Sequence, residues 1–351
     1  MKTPQLPLHL LLGLITSLLM VVSLPSYSDS KTTGKFLGAQ STVYPSWFKS
    51  SFLEFADDVE EAAEEGKRLA IIFHQDGCPY CNLLIEKNLS QQDIKKLMQT
   101  KLDVVELNIW GSREVVSVAG KTYAENDFAK ALNIQYTPTV LFFNEEGKVA
   151  LRLNGYREPS EFKRALEYVT GKHEKTQSYS QYIATNRITK SNETLNTQAF
   201  FDKAPYNIAL PKAGFDKPLA VFFEQTNCPN CDKFHTVNLA KSDTQSIVKQ
   251  FKNVQLDMWS DTPVTTPNGE TITARKWAEK LSVTYAPSVV FFGKDGQEVI
   301  RLEAMFKAFH TASSFDYVLS EAYKTQPSLQ NYITERAEHI REQGNDVNLW
   351  D

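Results

Sequence analysis

The chain has 351 residues, with 38 Lys plus Arg against 42 Asp plus Glu and a formal charge of -4. This near balance gives no electrostatic reason to bind nucleic acid. With 42% hydrophobic and 23% charged residues, the composition is that of a globular protein, which excludes a disordered chain or a polytopic membrane protein. The length predicts about two domains.

The first 28 residues have the pattern of a cleaved export signal. Lys2 precedes an apolar run over residues 8–24, and the small residues Ser26 and Ser28 follow it. An uncleaved membrane anchor is the alternative, but this run of 17 residues is shorter than the ~20 needed to cross a bilayer. We expect cleavage after Ser28, which leaves no transmembrane segment. A bacterial periplasm fits this pattern best.

The two halves of the sequence repeat each other at a spacing of 149 to 150 residues. The apolar segment 69–73 aligns with 219–223, and Trp110 aligns with Trp259. Two copies of so long a period indicate tandem domains. The predicted organisation is a signal peptide at 1–28, an N-terminal lead at 29–45, a first domain at 46–185, a linker at 186–197, a second domain at 198–335 and a C-terminal tail at 336–351.

Each copy predicts an alternation of helices and strands. In the first copy the predicted elements are a helix at 51–65, a strand at 69–73, a helix from 78, a strand at 104–109, a hairpin tip at 118–121, a helix at 123–132, strands at 140–143 and 148–153, and a helix at 160–169. The second copy has a matching hairpin tip at Asn268-Gly269 and a predicted helix at 271–281. The first helix is expected to bury Phe52, Phe55 and Val59, which recur at helical spacing. This interleaving predicts an α/β or α+β fold.

All four cysteines belong to CxxC pairs, Cys78 with Cys81 and Cys228 with Cys231. Each pair follows a predicted strand and opens a predicted helix, where the free backbone N–H groups favour a thiolate. A proline at the second position fits the first helical turn, and the second cysteine lies within disulfide range of the first. Each pair can therefore cycle between dithiol and disulfide, with the first cysteine attacking and the second resolving.

Two other interpretations of the cysteines are a zinc site and an inert disulfide. Zinc ligand pairs usually lie within about 20 residues of each other, whereas 146 residues separate Cys81 from Cys228, so no metal site is predicted. An inert disulfide stays open, more so for the second pair because its surroundings diverge. The diverging positions are Gly77, Thr137 and Gly155, which become Asn227, Ala286 and Ala304 in the second copy.

Cys-Pro-Tyr-Cys and Cys-Pro-Asn-Cys after a strand, each with a proline before a later strand, resemble the thioredoxin superfamily. The resemblance covers about 46–183 and 198–333, and it implies two tandem copies of the three-layer α/β/α thioredoxin fold. In that family the later proline is cis and faces the disulfide, and the residue before it binds substrate through its backbone. The matching positions are Thr137, Pro138, Ala286 and Pro287. The hairpin and helix before this proline are similar to those of exported thioredoxins associated with sulfur oxidation.

Thioredoxin has a buried Asp six residues before its first cysteine, which takes a proton from the resolving thiol. The matching residues here are Ile72 and Phe222, so that group is missing. His74 and Glu224, four residues before each first cysteine, are the nearest candidates for proton transfer. The alternative is that both side chains face solvent at the end of a strand.

We therefore expect a periplasmic thiol:disulfide oxidoreductase that reduces disulfides of proteins or small molecules and needs no cofactor. The resemblance implies that a membrane electron donor of the thiol-exchange type keeps it reduced. A disulfide isomerase or oxidase is the nearest alternative. A second alternative is a non-catalytic binding protein with this fold, or a Cu(I) carrier, since two thiolates suit Cu(I).

Overall fold

The computed structural model describes residues 33–185 and 194–350. The predicted signal peptide lies outside the described residues, as do residues 186–193 of the predicted linker. The elements of the first half are β1 (Phe36–Leu37), α1 (Phe55–Glu64), β2 (Arg68–His74), α2 (Pro79–Leu83), α3 (Gln92–Lys101), β3 (Leu102–Asn108), β4 (Glu114–Val116), β5 (Thr122–Ala124), α4 (Glu125–Ala131), β6 (Thr139–Phe143), β7 (Val149–Asn154), α5 (Pro159–Thr170) and α6 (Tyr179–Thr185). Those of the second half are β8 (Tyr206–Asn207), β9 (Leu219–Glu224), α7 (Pro229–Lys233), α8 (Ser242–Val248), β10 (Lys252–Asp257), β11 (Pro263–Thr265), β12 (Thr271–Thr273), α9 (Ala274–Lys280), β13 (Ser288–Phe292), β14 (Glu298–Leu302), α10 (Ala308–Leu319), α11 (Leu329–Glu342) and β15 (Val347–Asn348).

The first half is built on a four-stranded sheet in the order β3-β2-β6-β7. Strand β2 runs parallel to β3 and antiparallel to β6, and β7 is antiparallel to β6. Every residue of β2 is buried, and alternate side chains contribute to opposite faces. Ile72 packs in a core with α3 and α5, whereas Ile71 packs in a second core with α1 and α4. The predicted α/β/α layering is thereby confirmed.

The second half repeats this sheet in the order β10-β9-β13-β14. Val221 and Phe223 of β9 pack with α9, and Ala220 and Phe222 pack with α8 and α10 on the other face. In the described part of this half, the short strand β8 lies ahead of the sheet where the first half has α1, and it pairs with β11. The two copies therefore differ at their N-terminal ends.

The first helix is shorter than predicted, and it buries Phe55 but not Phe52. Phe52 is 96% exposed, and helix α1 starts only at Phe55. Leu53 has a φ of 65°, and its N–H donates to Ser51 Oγ at 2.7 Å. This tight turn directs Leu53 into the core instead of Phe52, so the prediction that Phe52 is buried was wrong.

The helices predicted at 123–132 and 271–281 also begin later. Residues 122–124 pair with 114–116 in an antiparallel ladder, and residues 271–273 pair with 263–265 in the same way. Their backbone groups are therefore used by a hairpin and are unavailable for a first helical turn. Helices α4 and α9 follow directly after these strands.

The two halves pack against each other, and the ends of the described chain meet. Strand β1 pairs in parallel with β15, with Phe36 opposite Val347. Helix α11 continues past residue 335, so the predicted C-terminal tail begins inside it. Of the helices within 33–185 and 194–350, none combines the length and apolar character that a membrane span requires.

Candidate active site

The first CxxC pair lies at the junction between β2 and α2. Cys78 and Cys81 form a disulfide with a Cα–Cα distance of 5.3 Å. Cys78 is the N-cap of α2, Pro79 occupies the first turn, and the N–H of Cys81 donates to Cys78 Sγ at 3.1 Å. A sulfur at this position accepts a backbone N–H that the helix itself leaves unpaired, and this favours the thiolate. The first pair thus has the geometry that a cycle between dithiol and disulfide requires.

The second pair has the same arrangement. Cys228 and Cys231 form a disulfide with a Cα–Cα distance of 5.1 Å. The N–H of Cys231 donates to Cys228 Sγ at 3.0 Å, and Pro229 lies in the first turn of α7. Both short helices continue through a π-helical turn, at 84–88 and 234–238. Residue for residue, the second copy retains the sulfur geometry of the first.

The two predicted prolines lie beside these sulfurs. Pairing of Phe73 with Thr139, and of Phe223 with Ser288, brings the start of β6 or β13 next to the end of the strand that leads into the cysteines. The bonds Thr137–Pro138 and Ala286–Pro287 are both cis, as the resemblance implies.

The residue before each proline contacts the first sulfur. Cys78 Sγ lies 3.6 Å from the carbonyl oxygen of Thr137 and 3.4 Å from its hydroxyl. Cys228 Sγ lies 3.6 Å from the carbonyl oxygen of Ala286. The hydroxyl of Thr137 has no counterpart in Ala286, so residue 137 offers a side-chain donor to the first cysteine of its motif and residue 286 does not.

His74 is the last residue of β2, and it is buried, in contrast to the solvent-facing alternative. Its Nε2 is hydrogen-bonded to Glu106, and its ring lies 4.5 Å from that of Tyr44. Burial alone would raise the pKa of Glu106, but hydrogen bonds with His74 and Arg113 and the positive charge of Arg113 hold this pKa below its usual range. His74 therefore belongs to a hydrogen-bonded group at the end of the strand.

Glu224 takes the matching position in the second half, and its side chain is 0% exposed. Its two carboxylate oxygens lie 2.9 and 3.0 Å from Nε2 of His235, and Gln255 donates to the same carboxylate at 3.0 Å. A buried carboxylate needs such partners, because desolvation of an unpaired charge is costly. The solvent-facing alternative is wrong here too.

Three partners of these candidates escaped the sequence analysis: Glu106, His235 and Gln255. Glu106 and Gln255 occupy the same position in the two copies, at the repeat spacing of 149 residues. They lie on β3 and β10, next to the strands of His74 and Glu224. Comparison of polar residues on neighbouring predicted strands would have found this pair of positions. His235 aligns with an apolar residue, Ile85, and has no such signal.

A tryptophan and a glutamine flank each site. Trp110 Nε1 donates to Gln75 Oε1 at 2.9 Å, and Trp259 Nε1 donates to Gln225 Oε1 at 2.7 Å. Both glutamines follow directly after the strand that leads into the cysteines. Each bond therefore ties the cysteine loop to the segment that follows the next strand.

Among residues 33–185 and 194–350, no three His, Cys, Asp or Glu side chains are grouped as a metal ion would require. The four cysteines form the two disulfides described above.

A sequence model of the thioredoxin-like domain matches residues 55–170 and 213–319, which together make up more than half of the chain. No curated protein matches the sequence at a significant level. Among solved structures, a thioredoxin-fold protein from Helicobacter pylori is 15% identical, with 39% of this chain and 88% of that chain covered and a TM-score of 0.32. A thioredoxin from Thermus thermophilus is 18% identical, with 39% and 87% covered and a TM-score of 0.27. A disulphide isomerase from Xylella fastidiosa is 15% identical, with 42% and 100% covered and a TM-score of 0.25.

The assignment rests on the two sequence matches together with the site geometry. Each matched region contains a Cys-Pro-x-Cys disulfide at a helix start beside a cis-proline. Such a pair is a thiol:disulfide oxidoreductase site. The chain belongs to the thioredoxin-like family, with one thioredoxin-like domain in each half.

Proposed function

We propose that the protein is a periplasmic thiol:disulfide oxidoreductase that reduces disulfides, with Cys78 and Cys228 as the attacking residues. The observation that carries this proposal is the position of Cys78 Sγ. It accepts the N–H of Cys81 at 3.1 Å and lies 3.6 Å from the carbonyl oxygen of Thr137. The N–H of Cys81 can stabilise a thiolate at this sulfur. The backbone of Thr137, just before β6, lies next to the sulfur, and a substrate can align there.

The reaction follows the exchange chemistry of a dithiol. The thiolate of Cys78 attacks one sulfur of the substrate, which forms a mixed disulfide and releases the first substrate thiolate. The thiolate of Cys81 then attacks Cys78 Sγ, which releases the second thiolate and leaves the Cys78–Cys81 disulfide. Two electrons pass to the substrate, and the two protons of the cysteines go to the released thiolates.

Thr137, Pro138, Ala286 and Pro287 are proposed to bind the substrate. Their support is the contact of residues 137 and 286 with the attacking sulfurs. The oxidised Cys228–Cys231 pair would be reduced again by a membrane electron donor of the thiol-exchange type. The signal peptide predicted at residues 1–28 supports this choice of donor, since a cytosolic recycling system would not reach an exported protein.

The direction of electron flow can be tested by equilibrating each pair with a dithiothreitol or glutathione series. Variants Cys78→Ser with Cys81→Ser, and Cys228→Ser with Cys231→Ser, isolate one pair at a time. Reduction potentials near roughly -270 mV, with turnover of a disulfide substrate, would support a reductase. A potential nearer about -120 mV would instead indicate an oxidase or isomerase, and absence of turnover from both pairs would indicate a binding protein.

Export is tested separately by N-terminal sequencing of the protein recovered from a periplasmic fraction. A mature chain that starts at Asp29 supports the proposal. Recovery of the uncleaved chain with the membranes would contradict it.

A further inference from the structure

The two CxxC motifs differ in accessibility although their sulfur geometry is alike. In the first motif Pro79 is buried and Tyr80 is only 4% exposed. In the second motif Pro229 is exposed and Asn230 is partly exposed. An exchange partner can therefore approach the second motif along the surface of its two middle residues, whereas the first motif is covered.

Tyr80 is covered by residues of the second half. Its hydroxyl accepts the N–H of Lys307 at 2.9 Å and lies 3.3 Å from Nδ1 of His310. Its ring lies 6.3 Å from Phe306 and 5.5 Å from Trp350, centroid to centroid. This burial raises the pKa of the Tyr80 hydroxyl, so the group stays protonated and can donate to His310. The contacts come from a loop, a helix and the C-terminal segment.

We call residues 306–314, helix α11 and residues 347–350 the cover. It is fastened to the first half at several points. Gln330 Nε2 donates to the carbonyl oxygen of Gln135 at 2.9 Å, and the N–H of Leu329 donates to Gln135 Oε1 at 2.8 Å. Gln75, at the rim of the first cysteine loop, donates to Gln330 Oε1 at 3.0 Å. The cover is thus held across the loop that leads into the first cis-proline.

The β1–β15 ladder fastens the other end of the cover. Arg341 Nε also donates to the carbonyl oxygen of Gly34 at 2.8 Å, and its guanidinium lies 4.6 Å from the ring of Phe36. These contacts join residues that are far apart in sequence, since Gly34 and Arg341 are 307 positions apart. The access to Cys78 is therefore set by the second half and by both ends of the described chain.

Between the cover and the first CxxC motif lies a cavity of about 240 Å³. Cys78 and Thr137 line it from one side, and His310, Gln330 and Thr334 line it from the cover. A space of this size suits a small molecule. Cavities that take drug-sized ligands begin at about 300 Å³. We call this cavity the chamber.

The chamber has little charge. Of the described residues that line it, only Asp76 has a formal charge at neutral pH, and Asp76 is exposed at the rim. Burial lowers the pKa of His310 to about 4, so its ring is neutral at pH 7. No lysine or arginine among the lining residues is available to pair with a carboxylate. A neutral molecule with hydroxyl or amide groups matches the remaining side chains.

We infer that Cys78 and Cys81 exchange with neutral, low-molecular-weight disulfides and thiols inside the chamber, and that folded proteins react only at Cys228 and Cys231. This inference rests on the proposed function and assigns a substrate class to each of its two sites. Both first sulfurs are buried, with Cys78 3% and Cys228 6% exposed, so the difference lies in what surrounds them. A folded protein must displace the cover to reach Cys78, whereas it can approach Cys228 past the exposed Pro229. The small disulfide R–S–S–R passes through the mixed disulfide at Cys78 and leaves as two R–SH. Two molecules of a second low-molecular-weight thiol, R′–SH, then reduce the Cys78–Cys81 disulfide. They leave as R′–S–S–R′, and their two protons return to the cysteine thiols.

The test uses two full-length double variants. Cys228→Ser with Cys231→Ser leaves only the chamber site, and Cys78→Ser with Cys81→Ser leaves only the exposed site. Each is assayed with dithiothreitol as reductant against bis(2-hydroxyethyl) disulfide, which is neutral and small, and against insulin. We expect the ratio of the small-disulfide rate to the insulin rate to be at least about tenfold higher for the chamber-only variant, since the cover sterically rejects the larger substrate.

Equal ratios for the two variants would overturn the inference while leaving the proposed function intact. Loss of turnover with both substrates in both variants would instead overturn the proposed function itself. Oxidised glutathione, which is small but anionic, is included as a third substrate. A glutathione rate equal to that of the neutral disulfide in the chamber-only variant would overturn the claim that the chamber selects neutral molecules.

A second measurement opens the cover in the chamber-only variant. Trp350→Ala removes an aromatic ring that packs on Tyr80 and does not line the chamber. We expect the insulin rate to rise at least about threefold, with the small-disulfide rate changed by less than about twofold. Phe52→Ala is the matched control, because it removes an aromatic ring that is 96% exposed. An unchanged insulin rate in a variant whose thermal unfolding matches that of this control would overturn the role of the cover.

Discussion

Gly155 and Ala304 occupy the same position in the two repeats, and they face each other where the two halves meet. A Cβ atom placed on Gly155 would lie 2.5 Å from the Cβ of Ala304. The preceding residues of each repeat, Asn154 and Glu303, are also in contact, with Asn154 Nδ2 3.5 Å from a Glu303 carboxylate oxygen. The end of β7 is therefore packed against the end of β14, and there is no room for a side chain at residue 155.

Gly155→Ala is expected to weaken the packing of the two halves. The new methyl group overpacks a close contact, which typically costs about 1 to 3 kcal/mol, and the φ of 72° at this residue adds backbone strain. The matched control is Gly120→Ala, since Gly120 has a φ of 77° but no atom within 4 Å of the added Cβ. In thermal unfolding the Gly155 variant should melt several degrees below the Gly120 variant. Equal melting temperatures would contradict the close approach of residues 155 and 304.

Because His310 is buried, we expect the stability of the folded state to depend on pH. Its pKa is lowered by burial to about 4, from an unfolded value near 6.5, so the unfolded chain binds a proton between these pH values that the folded chain does not. The folded state therefore keeps its full stability above about pH 6.5 and loses up to roughly 3 kcal/mol as the pH falls to about 4. Protonation of Nδ1 also removes the acceptor for the Tyr80 hydroxyl.

The measurement is urea unfolding from pH 7 to pH 4 in the wild type and in His310→Gln, which can still accept from Tyr80 but does not titrate. The variant should lose less stability over this range than the wild type. His339→Gln, at an exposed position on α11, should behave as the wild type. Parallel pH curves for the wild type and His310→Gln would show that His310 does not govern this loss.

Much of the fold could be predicted because its signals are local or repeated. The copies of Cys-Pro-x-Cys at a fixed spacing and the apolar strands before them predicted tandem domains. The resemblance to the thioredoxin superfamily implied the relation of Pro138 and Pro287 to the cysteines. Ile72 and Phe222 were identified as replacements of an acid, and both are buried in apolar surroundings. These features depend on residue type within a short window, which a sequence displays directly.

What could not be predicted depends on contacts between distant residues. The cover over Tyr80 joins the first CxxC motif to residues more than 220 positions away, such as Lys307, and no periodicity records that neighbour. The pairing of His74 with Glu106 depends on the register of two strands, which the sequence analysis did not assign. Phe52 was misplaced because the turn at Leu53 depends on a φ of 65° in a residue that seldom adopts it.

Arg68 is expected to stabilise the first domain through a buried ion-paired cluster. Its side chain is 3% exposed, and it contacts Glu174 at 2.7 Å and Glu145 at 3.0 Å. Arg68→Met would leave both carboxylates without this partner, and we expect a loss of about 2 to 4 kcal/mol in the free energy of unfolding. Lys148→Met, which breaks an exposed pair with Glu146, should change stability by less than about 1 kcal/mol.

The stabilisation by the Arg68 cluster should depend on pH. The hydrogen bonds from Arg68 lower the pKa of Glu145, against the opposing effect of burial. Because the folded pKa lies below the unfolded value, this stabilisation is complete above about pH 4.5 and is lost as the pH falls further. Chemical unfolding at pH 7 and pH 3 should therefore show a smaller difference between Arg68→Met and wild type at the lower pH. A difference independent of pH would contradict the assignment of the effect to the carboxylates.

Glu224 is predicted to take the proton of the resolving thiol in the second domain. Glu224→Gln keeps an oxygen that can accept from His235 and Gln255 but removes the base, so resolution of the mixed disulfide at Cys228 should slow by about 10- to 100-fold at pH 7. The rate should recover at higher pH, where the thiol ionises without help.

Single-turnover reduction of insulin by the exposed-site variant, with acid trapping of the mixed disulfide, measures this step. His235→Gln is the control, since it retains the carboxylate and should retain the pH profile. If Glu224→Gln and its parent share one pH profile, Glu224 has a structural role only, as the hydrogen-bond partner of His235.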